Sequence, residues 1–450
     1  MRYFRNQFLK NHKNFGIWGN CFAVSEIIIT FATQYLRKII RMNNNVISRL
    51  LVLLLIMVTE TVAVTARGEE SRQDSALCYF DSVEVALLTC EPHDEVYSLY
   101  GHTAIRITDR NANTDIAVNY GIFNSKADFF VPRFVFGLTD YMMGVTDMQQ
   151  FLAEYDYYGS GVMQQRLNMT AQEKQRLLEA LRENALPENV VYRYNFFYNN
   201  CTTKARDMIL DALDGKVEYK QKGLQEGERS FRDLIHSKAG THRWAAAGND
   251  LLLGVQADEN TTFAEREFLP QVLMIDFDDA VVKRNDGKVE KLVGESTWLL
   301  PSTHPTVFNE APGFPLTPMR CASVFFGVIL ALCVAHCVTR KKVYEKIEYG
   351  VVCIYGLAGL ILLAMVFSQH PTVRINFQIL VLNPLLPFIC MPRFRNKYTF
   401  AIVTGCLVVF FVAGFWQRYA EGMYLMALSL QLIALTHFFL HNFGGLKKNH

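Results

Sequence analysis

The sequence predicts an α+β domain followed by a transmembrane region of five helices. Residues 67–315 combine polar and apolar residues in strand-like and helix-like patterns, whereas residues 316–450 consist mainly of long apolar runs. Half of the 450 residues are hydrophobic and only a fifth are charged, so the chain is too long and too apolar to form one soluble domain. Its net charge of +2 gives no general reason to expect a nucleic-acid partner.

Residues 1–66 have the composition of a leader that ends in a secretory signal peptide. A positive flank follows Met42, a short apolar run covers residues 50–58, and small residues lead up to Ala66. We therefore expect the protein to start at Met42 and to be cleaved after Ala66; retention of the run as a membrane anchor is the alternative. Cleavage predicts that the domain over residues 67–315 lies outside the cytoplasm.

Strands and helices alternate in the first half of this domain. Runs of β-branched residues predict strands over 83–89, 102–108 and 116–123. A helix is predicted over 170–184, where Thr170 and Glu173 form a capping box. Residues 190–198 are predicted to be a strand, or an extended lead into a second helix that begins at Cys201. Helices interspersed with an antiparallel set of strands are typical of an α+β domain.

Five apolar runs make up the C-terminal region and are candidates for membrane spans. They cover residues 321–338, 349–367, 377–391, 399–416 and 423–440. The third run is short and contains Asn383-Pro384, so a re-entrant or interfacial segment is the alternative there. Basic residues support five crossings, because the predicted outer loops contain only Arg374 and Arg418. The predicted inner loops contain nine: Arg340, Lys341, Lys342, Lys346, Arg393, Arg395, Lys397, Lys447 and Lys448.

A cysteine at a predicted helix start is the strongest chemical signal. Asn200 is a good N-cap, which puts Cys201 at the first helical position, where free N–H groups and the helix dipole stabilise a thiolate. We expect Lys204 and Arg206 to add to this effect. His102, on a predicted strand, supplies a possible base, as nucleophilic catalysis by cysteine requires. On spacing alone, a buried and unreactive Cys201 is the alternative.

Other chemistries find little support in the sequence. It contains no dinucleotide fingerprint, phosphate loop, CxxC pair, HExxH motif or GxSxG elbow. His437 and His441 are one helical turn apart, but with no third ligand nearby an interfacial role is favoured over metal binding. We therefore predict no metal. In an oxidising compartment Cys78 and Cys90 either pair with each other or leave Cys90 unpaired.

Three separated motifs carry a resemblance to a known family. They are the stretch from Leu88 to Ala104, which contains Tyr100-Gly101-His102-Thr103, then Ala117-Val118-Asn119-Tyr120-Gly121, and then Tyr198-Asn199-Asn200-Cys201-Thr202-Thr203. In this order they resemble the periplasmic domain of the Lnb-type lipoprotein N-acyltransferases. The likeness covers roughly residues 78–440 and continues through Phe231-Arg232-Asp233-Leu234-Ile235, Trp244, Leu253-Gly254, Phe268-Leu269-Pro270, His370-Pro371-Thr372 and Leu382-Asn383-Pro384-Leu385.

This resemblance implies a fold, a location and a reaction. The fold is a permuted papain-like cysteine domain, similar to the lecithin-retinol acyltransferase group, followed by five transmembrane helices. The location is the bacterial inner membrane, with the catalytic domain in the periplasm. The reaction transfers an acyl chain from a phospholipid to the α-amino group of the diacylglyceryl-cysteine of a lipoprotein. The implied partners are therefore a phospholipid donor, a diacylated lipoprotein acceptor and the membrane, without a cofactor.

The reaction suggests roles for the matched residues. Cys201 is the expected nucleophile and its N–H an oxyanion donor; His102 is the expected base and then acid. Asn119 is expected to orient the imidazole, although a strand-end Asn before a turn is the alternative. Three further residues are expected to contact substrate, although helix capping and ordinary packing explain them equally well: Asn200, Tyr100 and Tyr120.

The membrane side offers further candidates and leaves two rival functions open. His370, Asn376 and Asn383 are expected to hold a lipid headgroup, with interface solvation and helix breaking as the alternative. The aromatic stretch 129–136 is interpreted as an element that dips into the membrane rather than as a core strand. The rival functions are a membrane-tethered cysteine hydrolase of envelope peptides or lipids and a non-enzymatic envelope assembly protein.

Overall fold

The structure, a computed structural model, describes most of the chain after residue 77. The described residues are 78–93, 98–123, 128–219, 229–239, 242–303 and 316–443, together with Leu54 and Met57. The predicted start at Met42 and the cleavage point after Ala66 lie outside them. The chain divides into two compact units, Met1–Tyr79 and Phe80–His450, and the architecture below is that of the second unit.

A seven-stranded sheet forms the framework of the N-terminal domain, and all of its strand pairs are antiparallel. Its strands lie in the order β10-β5-β1-β2-β3-β4-β6. The three predicted strands are confirmed as β1, β2 and β3. The bounds are β1 Val83–Cys90, β2 His102–Asp109, β3 Thr114–Ile122, β4 Asp140–Asp147, β5 Val162–Leu167, β6 Val191–Arg193 and β10 Val293–Leu300; a second sheet holds β7 Lys216–Glu218, β8 Val281–Lys283 and β9 Val289–Lys291.

Helices cover the sheet and supply the other half of the core. The second helix predicted from the sequence, α4, lies across β2 and β3, and the capping box of Thr170 and Glu173 at the start of α3 is confirmed. Apolar side chains from the strands, such as Leu87 and Ile105, pack against Ile209 of α4. The helices of this domain are α1 Phe130–Val135, α2 Met148–Tyr157, α3 Ala171–Asn184, α4 Cys201–Ala212, α5 Phe231–Ala239, α6 Arg243–Leu252, α7 Phe263–Arg266 and α8 Pro270–Asp279.

The C-terminal region is helical, but its described residues do not form five helices long enough to span a membrane. Its helices are α9 Pro318–Thr339, α10 Lys342–Val366, α11 Pro371–Arg374, α12 Lys397–Ala413 and α13 Met423–Phe443. Three helices are long and apolar enough to cross a membrane: α9, α10 and the part of α13 over Met423–His441. The predicted fourth span is α12, an apolar helix of only 17 residues.

The predicted third span, 377–391, is not a continuous helix, so the prediction of five transmembrane helices is not confirmed. Three short 3-10 turns replace it, at Phe377–Leu380, Leu386–Cys390 and Pro392–Phe394. Prolines at 384, 387 and 392 explain the difference, because each lacks the N–H that a continuous helix needs and its ring crowds the preceding turn.

The segment 377–395 nevertheless runs beside α10 over most of that helix. Gly359 and Gly356 contact Leu382 and Pro387, positions where any side chain on α10 would collide with the segment. Arg395 then pairs with Glu345 in the first turn of α10, at 3.2 Å. The segment therefore lies along α10 from Gly359 to the first turn of that helix.

A buried polar network holds the N-terminal domain on the helical region. Arg232 of α5 is fully buried and donates to Asp250 at 2.7 Å and to Asp258 at 2.8 Å. From the helical region, Gln378 donates to the Asp250 carbonyl at 2.8 Å and Gln417 donates to the Leu253 carbonyl at 3.1 Å. Because these side chains are buried and hydrogen-bonded, the network fixes the orientation of the domain as well as its contact.

Candidate active site

Three predicted catalytic residues meet where α4 crosses the sheet. His102 begins β2, Asn119 lies on the neighbouring strand β3, and Cys201 begins α4. The Nε2 atom of His102 lies 3.1 Å from the Oδ1 atom of Asn119. The imidazole of His102 is also close enough to the Cys201 thiol for each group to shift the pKa of the other. The fold thus brings together the three residues predicted to be the nucleophile, the base and the orienting amide, which are far apart in the sequence.

Asn200 fixes the position of the cysteine. Its side-chain oxygen accepts hydrogen bonds from the N–H groups of Thr202 at 3.0 Å and Thr203 at 2.9 Å, which confirms the predicted N-cap. Its amide nitrogen donates to the carbonyls of Phe268 at 2.8 Å and Phe196 at 3.0 Å. With both ends of the amide engaged, Asn200 ties the first turn of α4 to two other segments.

The surroundings of Asn119 determine which nitrogen of His102 carries the proton. Its Nδ2 atom donates to the carbonyl of Ala117 at 3.4 Å, an oxygen that can only accept, so Oδ1 must face His102. An amide oxygen also only accepts, so the Nε2 atom of His102 carries hydrogen. The lone pair of Nδ1 is then left to receive the proton of the Cys201 thiol. This tautomer is the one that a general base requires, and the orienting role of Asn119 stays a prediction.

The Cys201 thiol is more acidic than an ordinary cysteine. Burial has the largest influence and raises its pKa, but the charge of His102 and hydrogen bonds from His102, the Thr103 N–H and the Thr202 hydroxyl outweigh it. The resulting pKa is about 7, against an ordinary value of 9.0. A large fraction of the thiol is therefore ionised at neutral pH.

Lys204 and Arg206 do not contribute as the sequence suggested. The guanidinium of Arg206 is paired with Asp207 at 2.7 Å and with Glu267 at 3.2 Å. The ammonium of Lys204 lies over the ring of Tyr192, 5.1 Å from its centroid. His102 is the main positive partner of the thiolate instead.

The pKa of His102 moves in the direction that matches this pairing. Burial lowers the pKa, but the charge of Cys201 and hydrogen bonds with Cys201 and Asn119 raise it above the ordinary value of 6.5, with a smaller contribution from the charge of Glu154. A thiol pKa that falls beside an imidazole pKa that rises favours the thiolate–imidazolium pair, the reactive form of a cysteine nucleophile.

A cavity of about 500 Å³ opens beside the three residues, and its lining contains both aromatic and acidic side chains. Aromatic rings near β3, β4 and β6 are stacked, with those of Tyr141 and Tyr194 4.0 Å apart and those of Phe123 and Tyr141 5.0 Å apart. The lining also includes the carboxyl groups of Glu91, which follows β1, and Glu154 of α2.

The cavity includes some of the predicted substrate contacts and leaves others out. Tyr100, Tyr120 and Asn200 line it together with the three catalytic candidates. The hydroxyl of Tyr100 accepts from Asn249 at 2.6 Å, and that of Tyr120 donates to Asn184 at 2.8 Å, so both rings are held in place. Their contact with substrate stays a prediction.

His370 and Asn383 do not line the cavity. The ring of His370 lies 6.3 Å from that of Phe134, which does line it, so His370 is a neighbour of the rim. Asn383 accepts from the Leu385 N–H at 2.9 Å within the segment beside α10. Asn376 belongs to the buried network and accepts from Gln417 at 2.9 Å. The local contacts of both asparagines are structural, and headgroup binding by these residues stays a prediction.

The aromatic stretch 129–136 forms helix α1 and not a core strand. Phe129 is 77% exposed and Val131 is 69% exposed, whereas Phe134 lines the cavity. The Gln369 N–H donates to the Phe136 carbonyl at 2.9 Å, which attaches α1 beside the end of α10. An exposed apolar helix thus connects the mouth of the cavity to the end of a candidate membrane span.

Several residues of the site were not found from the sequence. Glu91 and Thr103 lie inside the quoted motif from Leu88 to Ala104 and were not assigned a role, although Thr103 directly follows His102. Glu154 and Tyr194 come from elements that no motif marks, and only the order of the strands brings them to the cavity.

Cys78 and Cys90 are both free, so the disulfide that the sequence left open is not formed. Cys90 lies directly opposite His102 in the β1–β2 pairing and is buried. Its thiol is hydrogen-bonded to Tyr155, and burial raises the pKa of Cys90 well above its ordinary value. Cys90 is therefore the unreactive thiol of this site, in contrast to Cys201.

The fold and the site together define a class of protein, in which an α/β domain with a Cys–His–Asn site is joined to an apolar helical region. Comparison with protein families supports this class. Residues 75–237 match the Lnb N-terminal periplasmic domain, and residues 309–442 match the Lnb transmembrane domain. The chain belongs to the Lnb family, with a periplasmic N-terminal domain and a C-terminal transmembrane region. Searches among curated proteins and among solved structures found no match.

Proposed function

We propose that the protein is an apolipoprotein N-acyltransferase that carries an acyl chain from a phospholipid to the α-amino group of a lipoprotein's diacylglyceryl-cysteine. The observation that carries this proposal is the pairing of Cys201 with His102 in a cavity whose mouth is bordered by an exposed apolar helix beside a membrane span. Thiol, imidazole and amide in this arrangement also support a permuted papain-like domain.

The first step forms a thioester on Cys201. The Nδ1 atom of His102 takes the thiol proton, and the thiolate attacks the ester carbonyl of the phospholipid. The Cys201 N–H, at the start of α4, is positioned to stabilise the oxyanion. The carbon–oxygen bond breaks, and the imidazolium returns the proton to the leaving alkoxide. A lysophospholipid departs and the acyl chain remains on sulfur.

The second step moves the acyl chain to nitrogen. The neutral amine of the acceptor attacks the thioester while His102 takes its proton, and the carbon–sulfur bond breaks to release the thiol. Glu91 and Glu154 in the cavity lining favour the approach of the acceptor's amino group, whose neutral form is the one that attacks. We assign the aromatic part of the lining to the acyl chain, because rings provide apolar surface without a charge.

A position in the inner membrane suits both substrates. The helix α1 supplies apolar side chains at the membrane surface, which fits an element that dips into the lipid. We infer five crossings, with α9, α10, the segment 377–395, α12 and α13 in turn. Irregular backbone at membrane depth is tolerated where protein covers it, and the segment's Val381 and Leu386 are buried against neighbouring helices.

The test is to trap the intermediate on the full-length protein. We would place the protein in vesicles of phospholipid whose acyl chains end in an alkyne, quench with acid and detect the label by mass spectrometry. We expect a hydroxylamine-sensitive label on Cys201 and none in Cys201→Ala. Cys78→Ala is the matched control, because Cys78 is an exposed thiol outside the cavity, and it should label normally.

Adding an acceptor separates this proposal from its rivals. With a diacylglyceryl-cysteinyl peptide present, the label should move to the peptide as an amide. Release of free fatty acid in place of the amide would identify a cysteine hydrolase. Transfer that persists in Cys201→Ala would overturn the thioester route, and the absence of any turnover in the wild type would favour an assembly role.

A further inference from the structure

Three ionisable side chains that the proposed reaction does not use meet inside the transmembrane region. His336 lies in the last turn of α9, Glu348 in the second turn of α10 and His437 near the end of α13, and all three are buried. His336 Nδ1 lies 2.7 Å from Glu348 Oε2, and His437 Nε2 lies 2.9 Å from the same oxygen. One ligating atom from each residue lies within 4.8 Å of the other two.

Two polar atoms of this cluster lack a hydrogen-bond partner among the described residues. Glu348 has no exposed surface, and its ion-pair partners among the described residues are these two histidines. A carboxylate buried in this way requires positive charge beside it. Within the part of the chain that the structure describes, Glu348 Oε1 and His437 Nε2 have no hydrogen-bond partner. His437 Nε2 is thus close to the carboxylate but does not donate to it, an arrangement that a shared cation satisfies.

We propose that His336, Glu348 and His437 bind one divalent transition-metal ion, with zinc as the preferred species. Zinc accepts imidazole nitrogen and carboxylate oxygen at about 2.0–2.2 Å, so its ligand atoms lie roughly 3 to 3.5 Å from one another. The two imidazole nitrogens lie 2.7 Å and 2.9 Å from Glu348 Oε2, slightly closer than this range, and all three atoms lie within 4.8 Å of one another, so a small outward shift of the side chains accommodates the ion. Magnesium and calcium prefer all-oxygen ligands, which two imidazoles do not provide.

A neighbouring residue orients the ligands. The hydroxyl of Tyr349 lies 3.4 Å from the Nδ1 atom of His437, which turns Nε2 toward Glu348. Such outer contacts are typical of histidine ligands, because they fix the ring and its tautomer. The ion would join three helices that are separate in sequence, and none of its ligands lines the catalytic cavity. The inference is therefore independent of the proposed acyl transfer.

Part of this site is visible in the sequence. The spacing of His437 and His441, one helical turn apart, suggests a pair of ligands, but the sequence around them offers no third ligand. The structure separates the pair: His437 is buried in the cluster and His441 is exposed. The other two ligands, His336 and Glu348, lie about a hundred and about ninety positions before His437, on helices that only the fold brings together.

The test measures metal content directly. The full-length protein is expressed with an affinity tag that contains no histidine, purified in detergent and analysed by inductively coupled plasma mass spectrometry. We expect about one zinc per chain in the wild type and a loss of at least about tenfold in Glu348→Gln and His437→Ala, as expected for removal of a ligand. His441→Ala is the matched control and should keep its zinc.

A second measurement covers variants that fail to fold. Wild-type protein is stripped with a chelator and titrated with cobalt(II), whose visible absorption reports a tetrahedral nitrogen and oxygen site. We expect saturation near one cobalt per chain, displacement by zinc and a lower melting temperature in the stripped protein. Metal content far below one per chain, together with no cobalt spectrum, would overturn the proposal and leave a cluster of histidines sharing a proton with Glu348.

Discussion

Two histidine sites in this molecule use the same side chain in opposite settings. His102 lies beside a cavity of about 500 Å³ and faces a half-buried thiol. His336 and His437 lie among helices, and every member of their cluster is buried. Each imidazole has an ionisable partner, so the partner alone does not distinguish the sites. Solvent access distinguishes them, because a nucleophile must reach a substrate, whereas a ligand that only stabilises the fold is better kept away from substrates.

The largest expected effects come from removing one histidine from each of the two sites. His102→Ala and Cys201→Ala should each lower acyl transfer by at least about 1,000-fold, because they remove the base and the nucleophile. His437→Ala should instead act on stability, by about 3–5 kcal/mol, since it removes one of the partners of a buried carboxylate. The measurements are transfer to a peptide acceptor and thermal unfolding in detergent.

The control for both changes is His441→Ala, an exposed histidine on α13. It should alter neither transfer nor unfolding. A His102→Ala protein that unfolds at a much lower temperature than the wild type would contradict the comparison, because its loss of activity would then have a structural cause.

The acidity of the thiol gives the next largest effect. At a pKa of about 7, the reactive thiolate of Cys201 increases as pH rises through neutrality. In His102→Ala the burial of the thiol remains while its positive partner is lost, so the pKa should rise to 9 or above. A rise in pKa from about 7 to 9 lowers the thiolate fraction at pH 7 from about a half to about one hundredth, so the alkylation rate at that pH should be about 50-fold lower.

Iodoacetamide alkylation of Cys201, followed by peptide mass spectrometry between pH 5 and 10, measures this profile. Cys90 is an internal reference, because its buried thiol should stay unmodified throughout in the folded protein. Equal midpoints in the wild type and His102→Ala would show that the imidazole does not control the thiol.

Local signals in the sequence predicted much of the N-terminal domain. The strands at 83–89, 102–108 and 116–123 follow from β-branched runs, and the N-caps at Thr170 and Asn200 follow from short-range hydrogen bonding. Placing Asn119 beside His102 needed only the assumption that consecutive strands pair.

Long-range packing explains what the sequence did not predict. An apolar run at 377–391 looks like a continuous helix until its prolines and its contacts with Gly356 and Gly359 of α10 are considered together. Arg206 looked available to the thiolate until the fold supplied Glu267, a partner 61 residues away. In both cases the deciding neighbour is distant in sequence.

The buried histidine cluster lies in a closely packed helical region. Adding one methyl group to α10 tests that packing. In Gly359→Ala the new Cβ would collide with the backbone carbonyl of Leu382. We expect a loss of about 1–3 kcal/mol in stability, the usual cost of overpacking, measured as thermal unfolding in detergent. Gly350→Ala on the same helix is the matched control, because nothing lies within 4 Å of its added Cβ. Equal melting temperatures would mean that the segment does not pack against α10 as described.

The smallest expected effect tests how the site beside the cavity holds His102 in one tautomer. In Asn119→Ala the His102 Nε2 proton loses its acceptor, so the ring populates both tautomers and several orientations. Transfer should fall by about tenfold, far less than in His102→Ala, because the base itself is still present. Asn119→Asp retains an acceptor for that proton and should recover part of the rate, with a negative charge that raises the pKa of His102 and shifts the acidic limb of the pH–rate profile upward. If Asn119 only caps the end of its strand, Asn119→Ala and Asn119→Asp should lose the same activity, and the acidic limb of the pH–rate profile should not shift.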